Sequence, residues 1–318
     1  MAHDIQHTTP AAPLPAYHAL QSSGELAARV TEARRHLEDC DLCARYCHVN
    51  RLATIKGAVC RTGERALVSS FGAHHGEERP LRGWNGSGTI FFTWCNLRCV
   101  YCQNWDISQK GLGREVTVEA LAGMMLQLQA QGCHNINLVS PSHVVAQIIE
   151  AVYLAANAGL RLPLVYNTGG YDSAEALALL DGIIDIYMPD MKYGDPQIAH
   201  EYSHVRDYVQ FNQASVREMH RQVGDLRIDN NGLAVRGLLV RHLVLPENLA
   251  GTEQVLQFIA TEISRDTWLN LMDQYHPCYR AGDYPQIDRP VTREEYQWAH
   301  DLAIKLGLTR LDREHSRW

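Results

Sequence analysis

From Gly88 onward the sequence alternates short, β-rich apolar runs with amphipathic stretches of helical period, and this alternation narrows the fold more than any other feature. Strands separated by helices are joined by crossovers rather than hairpins, so they lie parallel in one sheet with the helices outside it. The runs are TIFFTW at 89–94, INLVS at 136–140, LPLVYN at 162–167, IIDIYM at 183–188, GLLVRHLVL at 237–245 and TWLNLM at 267–272. Helices are predicted at 117–131, 143–158, 173–181, 196–222 and 251–264, with a last one at 292–306. Six strands predict an α/β fold of the open, partial (β/α)6 barrel type. In any such barrel the active site lies at the carboxyl ends of the strands, so the residues just after each run are the candidates for chemistry.

Upstream the pattern changes. Residues 1–22 are rich in Pro, Ala and His without periodicity and are predicted to form a flexible or draped arm. GELAARVTEARRHLE at 24–38 reads as a short polar helix leading into CDLCARYCHVNRLATIKGAVC. The expected organisation is an arm at 1–22, a Cys-rich metal-binding extension at 23–85, the barrel at 86–280, and a tail with its helix at 281–318. The formal charge of -7 supplies no basic face for nucleic acid or an anionic membrane, so neither is an expected partner. No apolar run is long enough to cross a bilayer, and MAHDIQHTTPAAPLP lacks the features of a signal peptide. A cytoplasmic location is expected.

Nine cysteines are too many to ignore and too clustered for a disulfide framework, since seven of them fall in two short segments. Cys133 and Cys278 stand apart and read as small buried hydrophobes. WCNLRCVYCQNW, directly after the first predicted strand, carries Cys95, Cys99 and Cys102 in a C-x3-C-x2-C spacing. Four thiolates would close a zinc or iron–sulfur site, whereas three leave one iron of a [4Fe-4S] cluster open to a substrate. An open iron can chelate the amino and carboxylate groups of S-adenosylmethionine.

With Tyr101 directly before the third cysteine, this motif resembles that of the radical S-adenosylmethionine (radical SAM) superfamily, in which that position lies beside the adenine. Residues 86 to about 280 further resemble the pyruvate formate-lyase activating enzyme group and its activating-enzyme homologues. The resemblance implies cofactor contacts at the strand ends. After the second strand the family's Gly-Gly-Glu is replaced by VSPSH, so Ser140, Ser142 or backbone carbonyls would hold the methionine amino group, with His143 at the Glu position. YNTGGY places Asn167 and Thr168 near the cofactor, and MPDMK supplies Met188, Asp190 and Lys192, with Met188 and Asp190 at the family's monovalent-cation site. In VRHLVLP, His242 is the candidate adenine or ribose contact and Arg241 a substrate or carboxylate contact. Tyr275 or His276 would line the entrance.

Cys40, Cys43, Cys47 and Cys60 form a second set, C-x2-C-x3-C-x12-C, able to saturate a metal completely. A second iron–sulfur cluster and a structural zinc both satisfy this spacing, with His48 as a substitute ligand and Arg45, Arg51 and Arg61 as a cationic surround. The expected function is that of a radical SAM oxidoreductase, served by a flavodoxin- or ferredoxin-type reductant. It would reductively cleave S-adenosylmethionine to a 5'-deoxyadenosyl radical and abstract hydrogen from a substrate, with a backbone glycine of a glycyl-radical enzyme as the activating-enzyme-like case. Modification of a peptide or small metabolite is the alternative. A non-catalytic iron–sulfur electron carrier is the rival of another class, and it needs neither an open iron nor an adenosine pocket.

Overall fold

The computed structural model describes residues 14–312. In chain order these form α1 (Tyr17–Ser23), α2 (Glu25–Arg35), β1 (Ala66–His74), α3 (Arg79–Arg82), β2 (Ser87–Phe92), α4 (Trp105–Ser108), β3 (Arg114–Val116), α5 (Val118–Ala130), β4 (Ile136–Val139), α6 (Val145–Asn157), β5 (Leu164–Thr168) and α7 (Ala174–Leu180). There follow β6 (Ile186–Pro189), α8 (Pro196–Ser203), α9 (Tyr208–Val223), β7 (Arg227–Ile228), β8 (Ala234–Leu243), α10 (Thr252–Phe258), β9 (Trp268–Met272) and α11 (Arg293–Lys305).

The six apolar runs become β2, β4, β5, β6, β8 and β9, paired in that order and all parallel. The expected α/β sheet is therefore present, and it is open rather than closed. Side-chain polarity fixes the helix starts: Thr117 accepts from Ala120 N–H, Ser173 from Ala176 N–H, and Thr292 with Glu295 forms a capping box on α11. The long helix expected at 196–222 is two helices, because His204 takes a left-handed conformation (φ 57°) between α8 and α9.

Three strands lack the parallel signature. β1 lies antiparallel to β2 with β3 on its far side, and β7 is antiparallel to β8. β1 joins residues 66–74 to the sheet, so a boundary at 86 falls between two paired strands. Part of the expected arm is ordered: α1 packs on the barrel through the buried Tyr17, whose hydroxyl donates to Leu162 O at 3.1 Å. Residues 1–13 of that arm lie outside the described residues.

Side chains alternate across the strands. Tyr166, Tyr187, Leu238 and Val240 face the helices in the main core, while Val165, Ile186, Met188 and Leu239 face inward. The inward layer is completed by Leu81, which shares a cluster with those four residues and is fully buried. The segment after β1 thus fills the barrel interior. Because Leu81 has a closed apolar surround, Leu81→Ala is expected to cost about 2–5 kcal/mol, read as a lowered urea midpoint at unchanged m-value. A loss below about 1 kcal/mol would show that the interior collapses onto the gap.

Candidate active site

The cysteine loop leaves β2 through Trp94, held at φ 64°. Its indole packs over Gly111, where a Cβ would meet the ring at 2.3 Å, and Gly111 itself has φ 69°. Glycine is thus required there for two reasons, its conformation and the close approach of the ring. The loop delivers Cys95, Cys99 and Cys102 to one wall of a cavity of about 630 Å³. Each sulfur has a polar neighbour: Leu97 N–H donates to Cys95 Sγ at 3.4 Å, Ser203 Oγ–H donates to Cys99 Sγ at 2.9 Å, and Ser108 Oγ lies 3.2 Å from Cys102 Sγ. The break between α8 and α9 directly follows Ser203, the residue that reaches Cys99. Burial pushes the Cys95 thiol up to about 12, and it raises Cys99 against the opposing charge of Lys192.

Strand ends form the rest of the cavity. Ser140, Asn167, Thr168, Asp190, Lys192, Arg241 and Asn270 all line it. Lys192 Nζ lies 2.5 Å from Asp190 Oδ2, and although burial opposes its charge, the Asp190 carboxylate holds its pKa well above the usual lysine value. Deeper, Arg241 grips Glu78 through Nε at 2.6 Å and Nη2 at 2.7 Å, and also pairs with Glu77. Asn270 Nδ2 donates to Glu78 Oε1 at 2.7 Å, and Arg241 Nη1 reaches Asn167 Oδ1 at 3.4 Å. Burial alone would raise the Glu78 pKa; the Arg241 charge and these hydrogen bonds instead lower it.

Tyr101 also lines the cavity, 5% exposed, and begins a hydrogen-bond chain. Its hydroxyl donates to Tyr193 at 2.6 Å, the Tyr193 hydroxyl lies 2.7 Å from Ser203 Oγ, and Ser203 ends on Cys99.

Several expected contacts lie elsewhere. His242 is on the helix-facing side of β8, because its neighbour Arg241 faces inward and adjacent strand residues cannot share a face. Its ring nitrogens sit 2.6 Å from Met191 O and 2.9 Å from Thr252 Oγ1. His143 is buried with Nε2 3.0 Å from Thr93 O, and Ser142 lies behind the wall, its Oγ 2.9 Å from Thr168 Oγ1. Met188 belongs to the apolar layer below the mouth. Tyr275 is buried against Tyr101, and the exposed His276 meets Gln103 at 3.4 Å. Glu77, Glu78, Ser203 and Asn270 were not anticipated. Asn270 alone carried a signal, as a polar residue interrupting an apolar strand.

The second cysteine set occupies the loop after α2. Cys40, Cys43 and Cys60 are buried and Cys47 is half-buried. Burial and the neighbouring thiols Cys60, Cys40 and Cys47 raise the Cys43 pKa. Arg51, 2% exposed, donates to Cys40 Sγ at 3.5 Å and to Thr62 O at 2.8 Å. Among the described residues, neither cysteine set nor any other group of ligand side chains is drawn to the spacing of one shared ion. No helix among them is long and apolar enough to cross a membrane.

Residues 89–259 match the model of the Radical SAM superfamily. Over 290 residues the chain is 31% identical to Uncharacterized protein MJ0674 of Methanocaldococcus jannaschii, covering 88% of this chain and 78% of that protein. It is 25% identical over 291 residues to Uncharacterized protein MJ0808 of the same organism, covering 85% and 78%. Among solved structures it is similar to a radical SAM methyltransferase from Sphaerobacter thermophilus, at 12% identity and a TM-score of 0.49 over 96% of each chain. The chain belongs to the radical SAM superfamily, whose members use a [4Fe-4S] cluster and S-adenosylmethionine. The activating-enzyme group is not singled out by these matches. The triad fits the cluster: three thiols face one cavity, each sulfur has a polar neighbour, and the half-buried Lys192 cation acts on Cys99 from the same cavity.

Two outcomes test the buried groups. Glu78→Ala strips Arg241 of its bidentate partner and is expected to cost about 3–5 kcal/mol in chemical denaturation; a change under about 1 kcal/mol would mean that the guanidinium finds water. Burial lowers the His242 pKa from 6.5 to about 4. A depressed histidine pKa means the unfolded chain binds the extra proton between those values. Its stabilisation is therefore complete above pH 6.5 and is lost as pH falls toward 4. Buried Asp185, raised to about 6, works in the opposite sense, so the measurement is a difference. The stability gap between wild type and His242→Gln should shrink by roughly 3 kcal/mol from pH 7 to pH 4, and a constant gap would contradict the assignment.

Proposed function

We propose that this radical SAM enzyme cleaves S-adenosylmethionine reductively at a cluster held by Cys95, Cys99 and Cys102, and uses the resulting radical to take hydrogen from a peptide or protein substrate. The supporting observation is the placement of three thiols and five polar strand ends, from β4, β5, β6, β8 and β9, around a single cavity. When bound, the cluster supplies one electron to the sulfonium, giving methionine and a 5'-deoxyadenosyl radical. Lys192 and Asp190 offer a paired cation and anion for the zwitterionic end of the cofactor, and Ser140, Asn167 and Thr168 offer hydrogen-bond partners beside them. Tyr101 lines the same cavity, its hydroxyl held by Tyr193. Arg241, already engaged by Glu77 and Glu78, shapes the floor.

That the hydrogen donor is a backbone glycine rests on the resemblance of the triad and of the MPDMK and VRHLVLP segments to activating enzymes. We extend the reading to a second metal centre, iron–sulfur or zinc, at Cys40, Cys43, Cys47 and Cys60, and to a cytoplasmic setting with a flavodoxin- or ferredoxin-type donor.

The test is anaerobic reconstitution with iron and sulfide, reduction with dithionite, and chromatography of 5'-deoxyadenosine. Wild type should form it and Cys99→Ala should fall by at least about 100-fold, equivalent to about 3 kcal/mol of barrel-site chemistry. Equal product from both would remove the triad from the reaction. A glycine-containing peptide deuterated at the α-carbon should pass label into 5'-deoxyadenosine; product without label would turn the substrate reading toward a small metabolite.

A further inference from the structure

The two cysteine sets, 35 residues apart at Cys60 and Cys95, are in contact through residues that flank their sulfurs. Arg45, two residues after Cys43, donates from Nε to Asn96 O at 2.7 Å, and Asn96 follows Cys95. Arg98, which precedes Cys99, donates from Nη2 to Val59 O at 2.9 Å, and Val59 precedes Cys60. Arg61, which follows Cys60, lies over the Trp94 ring at 4.9 Å, and Trp94 precedes Cys95. Each contact joins a near neighbour of one sulfur ligand to an immediate neighbour of the other.

We infer that Cys40, Cys43, Cys47 and Cys60 hold an iron–sulfur cluster through which the central cluster receives its electron. This rests on the second-centre reading above and assigns that centre its metal and its role. Electron transfer through protein decays steeply with distance and is favoured by short covalent and hydrogen-bonded paths, and two such paths run here in parallel. The amino-terminal set also borders solvent: residues 52–57 are exposed and Cys47 is half-buried, while the central thiols face the cavity on the other side of the shared loop. The intervening arginines offset the negative charge that a thiolate cluster carries, and the Arg51 donor to Cys40 is the kind of contact that tunes a cluster's potential. The step balances as a one-electron relay. A reduced one-electron carrier is oxidised by one electron, the amino-terminal cluster is reduced and reoxidised, and the central cluster gains that electron without movement of a proton or a bond.

The experiment compares wild type with Cys40→Ala/Cys43→Ala, both reconstituted with iron and sulfide as full chains. Iron and zinc are counted first. The central cluster's reduction is then followed by freeze-quench paramagnetic resonance with two donors, dithionite and flavodoxin hydroquinone. We expect about eight iron ions per chain in wild type against about four in the variant, and a flavodoxin-to-dithionite rate ratio at least about tenfold lower in the variant, or about 1.4 kcal/mol of barrier. Equal iron contents, or zinc in place of the lost iron, would overturn the second cluster. A lower iron content with a ratio unchanged within twofold would overturn the relay while leaving the cluster in place, and neither result bears on 5'-deoxyadenosine formation at the triad. Should the double variant fail to fold, Cys47→Ser, at the least buried of the four positions, is read on the same counts and ratio.

Discussion

The buried pairing of Arg241 with Glu78 is the interaction on which the site depends. A partial barrel leaves its first and last parallel strands unjoined, and this pairing crosses the interior from the segment after β1 to β8, with Asn270 of β9 attached to the same carboxylate. Removing a guanidinium from water is costly, and only the bidentate geometry with further hydrogen bonds offsets that cost. Leu81 follows Glu78 by three residues and donates its N–H to Glu78 O at 2.8 Å, so the segment that carries the carboxylate also fills the apolar layer.

Above that floor, the thiol-bearing loop keeps a shape its own sequence would not choose. Trp94 stays left-handed because its ring is held between Gly111 and the Arg61 guanidinium. Cys99 is reached from a helix break a hundred residues later in the chain, and the loop's other edge is bound by Arg45 and Arg98 to the amino-terminal cysteine segment. Positions remote in sequence thus decide where three sulfurs stand.

How much of this was legible in the sequence follows from the range of the forces involved. The six parallel strands and most helix ends were readable because periodicity and capping are local, as Thr117, Ser173 and Thr292 illustrate. The cysteine triad was readable because its three members are nearly contiguous. Arg241 was identifiable but its partners were not: Glu77 and Glu78 sit in HHGEERP, which has no period, and only the tertiary crossing gives them a role. His242 was misplaced because a strand-end motif names residues without stating their facing, and the two-residue repeat of β8 turns it outward once Arg241 turns in. β1 escaped notice because its pattern does not alternate cleanly, with both Ser70 and Gly72 inside it.

The hydroxyl chain from Tyr101 to Cys99 has a polarity. Because Ser203 spends its hydrogen on the Cys99 sulfur, its oxygen can only accept, so Tyr193 points its hydrogen at Ser203 and Tyr101 points its own at Tyr193. The Tyr101 oxygen, its hydrogen spent on Tyr193, keeps only lone pairs for a further partner. The direction of donation at one sulfur thus sets the bonding character of an oxygen two hydroxyls away, and whatever approaches the free side of that oxygen must bring the hydrogen itself.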